Sequence, residues 1–261
     1  LVNPEKRYIT QLTARIEQHR ASFDYVRLSY KVRADQQEQS ALRPPPRLET
    51  SWGLNGPFYL RYAPLTDPRP IASLDEALDL YPRFMLEGVP GVGKTTTLHR
   101  LVMDSAADYL EDPRQNPLPF LVSLAAWPEE LSFADFLRSQ WPLKSNVQER
   151  IARRDLALYL DGLDEIGAEA DQRLESLRSW LNSDQSPERV IITTASGVFP
   201  DGANLNLPII RMEEMNSARS AQFVRLVLGE EGAEAFWKKP ESERSGFFRS
   251  EEHTSALQSL T

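Results

Sequence analysis

Three short stretches of this chain hold residues whose types and spacing could do chemistry. The first is Gly88 to Thr95, GVPGVGKT, which fits the pattern G-x-x-x-x-G-K-[ST] at every position. Glycines at 88, 91 and 93 let a backbone turn tightly enough to aim successive N–H groups at one centre. Lys94 adds a point charge suited to the β- and γ-phosphates of a nucleotide, and Thr95 a hydroxyl suited to Mg²⁺. The helix that should follow directs its positive end at the same anion. The candidate binding residues are therefore Gly88, Val89, Pro90, Gly91, Val92, Gly93, Lys94, Thr95 and Thr96.

The second stretch is LALYLDGLDEI, residues 156–166. Five mostly apolar residues form a strand that ends on Asp161, placed to hold Mg²⁺ through its water shell together with Thr95. Asp164 and Glu165 follow closely, and three carboxylates so near one another should repel unless a cation lies among them. The third stretch is VIITTASG, residues 190–197, a buried strand that ends on two threonines and then Ala195.

These stretches need elements to position them. Alternating patterns predict strands at 83–87, 119–124, 156–160, 189–194 and 207–211, and helices at 94–109, 132–140, 145–153, 169–182 and 215–228. Strands rich in Val, Ile and Leu on both faces, separated by helices, indicate a three-layer α/β fold with a mainly parallel sheet. In the helix at 169–182, Leu174, Leu177, Trp180 and Leu181 recur at helical spacing, with Arg173, Glu175 and Arg178 expected to face water. Upstream, Asn3 and Pro4 open an amphipathic helix over 4–21 that buries Ile9, Leu12 and Ile16. A half-buried strand is expected within 24–32, a proline-rich linker over 39–50, and a short helix capped by Ser73 and Glu76. The resulting division is an N-terminal helical and extended region (1–70), a nucleotide-binding core (71–214), the start of a helical lid (215–248) and a tail (249–261). That tail, RSEEHTSALQSLT, resembles the translation of a sequencing adaptor, so the natural chain is expected to continue past about residue 248.

Composition narrows the chemistry. Cysteine is absent, which excludes disulfides and thiolate catalysis, and the three histidines, His19, His99 and His253, are scattered. A net charge of -8 argues against a surface given over to nucleic acid. The chain contains neither a long apolar run nor a signal-peptide pattern, so a cytoplasmic location is the expectation.

The arrangement D-G-L-D-E, with Gly162 directly after Asp161 and the further acids at Asp164 and Glu165, resembles the NACHT family of signal-transduction P-loop NTPases, the STAND class, in a bacterial-type form. The resemblance covers roughly residues 70–228 and extends to the short helix SLDEAL and the segment LPFLVSLAAWPEELSFADFL. It implies ATP or ADP as ligand, with GTP an alternative, and Mg²⁺ as cofactor. It also implies that Asp161 holds the metal's water shell while Asp164 or Glu165 polarises the attacking water. Family members usually carry an arginine that senses the γ-phosphate at the position of Ala195, so slow hydrolysis is expected unless Arg211 or a neighbouring subunit supplies the charge. Thr194 or Ser196 could contact the phosphate instead, and Tyr62 the base. Further implications are self-association when ATP is bound, with effector and sensor domains outside this sequence. A scaffold without useful hydrolysis and an ATPase acting on nucleic acid are the competing readings, the latter disfavoured by Gly162 and the acidic charge.

Overall fold

The structure, a computed structural model, describes residues 3–19, 30–32, 70–71, 74–166, 170–199, 205–212 and 217–240. Strands β1 (Tyr30–Val32), β2 (Pro70–Ile71), β3 (Arg83–Gly88), β4 (Leu118–Ser123), β5 (Leu156–Asp161), β6 (Arg189–Ala195) and β7 (Ile209–Met212) form one sheet in the order β2-β1-β7-β3-β6-β5-β4. The five strands from β7 to β4 are parallel, while β1 and β2 extend the sheet antiparallel. Helices are α1 (Pro4–His19), α2 (Leu74–Leu80), α3 (Lys94–Glu111), α4 (Phe133–Gln140), α5 (Val147–Ala152), α6 (Ala170–Leu181) and α7 (Ser217–Trp237).

Apolar residues on both faces of the parallel strands dictate this layering. On one face, Phe84, Leu86, Tyr159 and Ile191 pack with Leu98, Leu101 and Val102 of α3 and with Leu12 and Ile16 of α1. On the other, Met85, Leu158, Leu160 and Ile192 pack with Phe133 and Phe136 of α4 and with Leu174, Leu177 and Trp180 of α6. Each fully buried side chain of this size contributes about 1.5–3 kcal/mol. Sheet and helices therefore make the expected α/β sandwich with its mainly parallel sheet.

Local signals were followed closely at most element ends. Asn3 caps α1, its Oδ1 accepting the Glu5 N–H at 2.9 Å. Two departures stand out. The last helix continues beyond residue 228 to Trp237, across a break at Gly229, whose φ of 70° only glycine adopts readily. Arg173, expected to face water, is only 9% exposed. Ser73, Tyr62, the linker 39–50 and the tail 249–261 lie outside the described residues.

α1 is tied into the assembly by polar contacts as well as by its apolar face. Tyr109 Oη of α3 donates to Glu5 at 2.6 Å, and Glu5 also pairs with Arg150. Tyr8 Oη donates to the Pro119 carbonyl on β4, at the end of the sheet, at 3.1 Å. Among the described residues, no helix is long and apolar enough to cross a membrane.

Candidate nucleotide site

In parallel sheets ligands bind beyond the carboxyl ends of the strands, where the order reverses. Here β3 lies between β6 and β7, and all three candidate stretches end at that edge. The register pairs Gly88 of β3 with Ala195 of β6, and Glu87 with both Thr194 and Arg211.

The loop after β3 has the form the sequence predicts. Gly91 and Gly93 have φ of 79° and 97°, conformations costly for other residues. At Gly88 a side chain is excluded by contact, since a Cβ would lie 2.6 Å from Val92 Cγ1. Gly93 precedes α3 without any side-chain cap, and the first backbone bond of the helix is Thr97 N–H to Gly93 O at 2.9 Å. By helix geometry the earlier amides point out of that end, toward the loop. Val89, Pro90, Gly91, Thr95 and Thr96 are exposed, so the mouth is open. Lys94 Nζ donates to the carbonyls of Gly88 and Val89, at 3.0 and 3.2 Å, which keeps the ammonium inside the loop.

The acid strand meets this loop directly. Asp161 Oδ1 accepts from Thr95 Oγ1 at 3.2 Å and from Thr193 Oγ1 at 2.6 Å. Thr193 Oγ1 in turn accepts the Gly162 N–H at 2.8 Å, which fixes the hydroxyl's direction. The threonine that reaches the acid is Thr193, a residue the sequence did not single out. Strand alternation was the usable signal: Leu160 pairs with Ile192, which puts Thr193 beside Asp161 and turns Thr194 to the opposite face. Thr194 Oγ1 is buried there and has no hydrogen-bond partner.

The expected crowd of three carboxylates does not form. Among the described residues, no three His, Asp or Glu side chains come together as a metal-holding group. A left-handed Gly162 (φ 78°) turns the chain into a 3₁₀ turn, Leu163–Glu165. Asp164 Oδ1 accepts the Ala195 N–H at 2.8 Å. Glu165 brings its carboxylate over Gly162, where a built Cβ would lie 2.8 Å from Glu165 Cδ.

Ala195, at the expected sensor position, is 7% exposed and presents a methyl group beside Gly88. The next residue, Ser196, donates its N–H to the Gly88 carbonyl at 3.0 Å, fastening the β6 tip to the phosphate loop. Arg211, the alternative source of charge, lies across β3 from Ala195. Its Nη2 and Nε are 3.0 and 3.1 Å from Oε2 of Glu87, a carboxylate that is 3% exposed.

The oxygen set fits Mg²⁺, a hard cation that prefers hydroxyl, carboxylate and water ligands. Thr95 and Asp161 supply the hydroxyl and carboxylate in mutual contact, directly below the phosphate loop. The glycine-lined turn, with Lys94 inside it, fits a chain of phosphates.

A comparison with curated proteins finds no match. Among solved structures, the chain is similar to the structure of C. elegans PCH-2, at 14% identity and a TM-score of 0.30. That likeness covers 55% of this chain and 38% of PCH-2, so the chain spans well under half of that protein. The sequence model of the NACHT domain matches residues 83–231, more than half of the 261 residues and inclusive of the loop, the acid turn and the β6 tip. The chain belongs to the NACHT family of P-loop NTPases.

Proposed function

We propose that this chain is a nucleotide-dependent signalling switch that binds ATP or ADP with Mg²⁺ and hydrolyses slowly. The observation that carries the reading is the junction of Thr95, Asp161 and Thr193 below the phosphate loop, with a methyl group at Ala195 on the same edge. Lys94 and the amides at the start of α3 neutralise phosphate charge placed in the loop. Thr95 and Asp161 hold Mg²⁺, which when bound screens the charge between phosphates. Glu165, whose carboxylate lies over Gly162, accepts a proton from the attacking water. Asp164, which accepts the Ala195 N–H, is the alternative candidate for that role. With a methyl at Ala195, no side chain at that position stabilises charge developing on the transferred phosphoryl group.

On this reading nucleotide exchange in the cytoplasm drives self-association and an attached effector, and hydrolysis resets the state. Residues 215–248 would begin the lid that closes over the nucleotide. Ala195 also favours a second reading, a nucleotide-binding scaffold without useful turnover, which single-turnover hydrolysis separates from the first. The test of the site itself is Mg²⁺-dependent binding of ATP, ADP and GTP to the parent and to Lys94→Ala. Loss of one charge-assisted contact, about 1.5–3 kcal/mol, should weaken binding by roughly 10–150-fold. Equal binding by Lys94→Ala would remove the phosphate-loop assignment.

A further inference from the structure

Arg173 is the residue whose placement the packing of α6 does not explain. It is 9% exposed, with Leu174 and Leu177 as buried neighbours on the same helix. Its Nη1 donates to the Ile166 carbonyl, and its Nη2 lies 3.0 Å from Glu129 Oε1. Its Nε is buried and has no hydrogen-bond partner. Withdrawing a guanidinium from water is costly unless its donors are matched and its counter-ion is held firmly. Here one donor is unmatched and the counter-ion is 57% exposed. A methionine would fill the space without that cost.

What the guanidinium does hold is the end of the acid turn. Ile166 directly follows Glu165, and Glu129 lies in the segment that follows β4 and its short turn, Leu124–Ala126. Two segments leaving adjacent parallel strands at the nucleotide edge therefore meet on one buried cation. At its other end the turn is held by Asp164 on the Ala195 N–H and by the Glu165 N–H on the Gly162 carbonyl, at 2.8 and 3.0 Å. Between these anchors the Glu165 carboxylate lies over Gly162.

We infer that Arg173 is a positioning residue for hydrolysis, clamping the Ile166 carbonyl so that the Glu165 carboxylate stays over Gly162, with Glu129 as its exposed counter-ion. The inference rests on the nucleotide reading of the site. Arg173 touches no reacting atom and acts through the backbone of the acid turn.

The experiment compares the parent chain with Arg173→Met, Arg173→Lys and Glu129→Gln. It measures Mg²⁺-ADP affinity, single-turnover ATP hydrolysis, and amide hydrogen exchange at Glu165 and Ala195. Arg173→Met should keep nucleotide affinity within about twofold, lower the hydrolysis rate by at least about tenfold, and speed exchange at both amides. Arg173→Lys, which retains a donor for Ile166, should recover part of the rate, and Glu129→Gln should fall between parent and Arg173→Met. Unchanged exchange in Arg173→Met overturns the inference, even in a parent too slow for its turnover to be compared. So does a parallel loss of affinity and rate, which would mark a purely structural residue. If the parent itself fails to bind nucleotide, the proposed function fails instead.

Discussion

Replacing Gly162 with alanine separates the backbone role of this residue from its role in making room for Glu165. Gly162 has φ 78° and ψ 55°, a left-handed conformation that costs an L-residue about 1–2 kcal/mol. Gly197 supplies the control, because its φ is 82° and a Cβ there meets nothing within 4 Å. At Gly162 the Cβ would come within 2.8, 2.9 and 3.1 Å of Glu165 Cδ, Oε2 and Oε1. Those atoms end a flexible side chain, so the carboxylate swings away and adds little to the energetic cost. Both variants should therefore lose similar stability, about 1–2 kcal/mol, or roughly 2–8 °C in Tm for a chain of this size. Only Gly162→Ala should lose hydrolysis, by about 100-fold or more, the usual contribution of a positioned general base. Thermal unfolding and single-turnover hydrolysis of the two variants test this. Equal rates for both, at equal destabilisation, would refute the assignment of the Glu165 carboxylate to the water.

Two further predictions concern the β6 tip and the buried phenols. Ala195→Arg should raise single-turnover hydrolysis at saturating Mg²⁺-ATP, with about 10³–10⁵-fold as the ceiling set by GTPase arginines; an unchanged rate would count against the missing-sensor explanation. Burial raises the hydroxyl pKa of Tyr159, Tyr109 and Tyr8 above the ordinary tyrosine value near 10. The unfolded chain then releases these protons first, so their stabilising contribution is whole below about pH 10 and drains as pH rises toward the folded values. Urea unfolding should show stability falling above about pH 10 by up to about 1.4 kcal/mol per pH unit for each tyrosine. Tyr159→Phe should flatten that slope; an unaltered slope would discount Tyr159.

Much of the fold was legible because its signals are local. The glycine pattern at 88–95, the apolar runs of β5 and β6 and the helical spacing of Leu174 and Leu177 each report a backbone preference or a buried face. The sites of failure are tertiary. Arg173 reads as solvent-facing on a helical wheel, and only the approach of Ile166 and Glu129 makes its burial tolerable. The placement of Asp164 and Glu165 after Asp161 depends on a left-handed turn at Gly162 and on an amide from β6, thirty-one residues away along the chain from Asp164. Thr193 was open to discovery by alternation, but only once the register of β5 against β6 is known.

The Tyr8 hydroxyl has a consequence for how this molecule coexists with others. In the parallel pairing of β4 with β5, Leu118 N–H bonds Asp155, so the backbone groups of Pro119 and Leu121 face outward. A bare row of such groups would template strand addition and aggregation. Pro119 carries no N–H to offer, and Tyr8 takes its carbonyl while also engaging the Leu121 backbone. One phenol thus supplies the donor that a neighbouring strand would bring to Pro119, and the helix that carries it covers that stretch of the β4 edge.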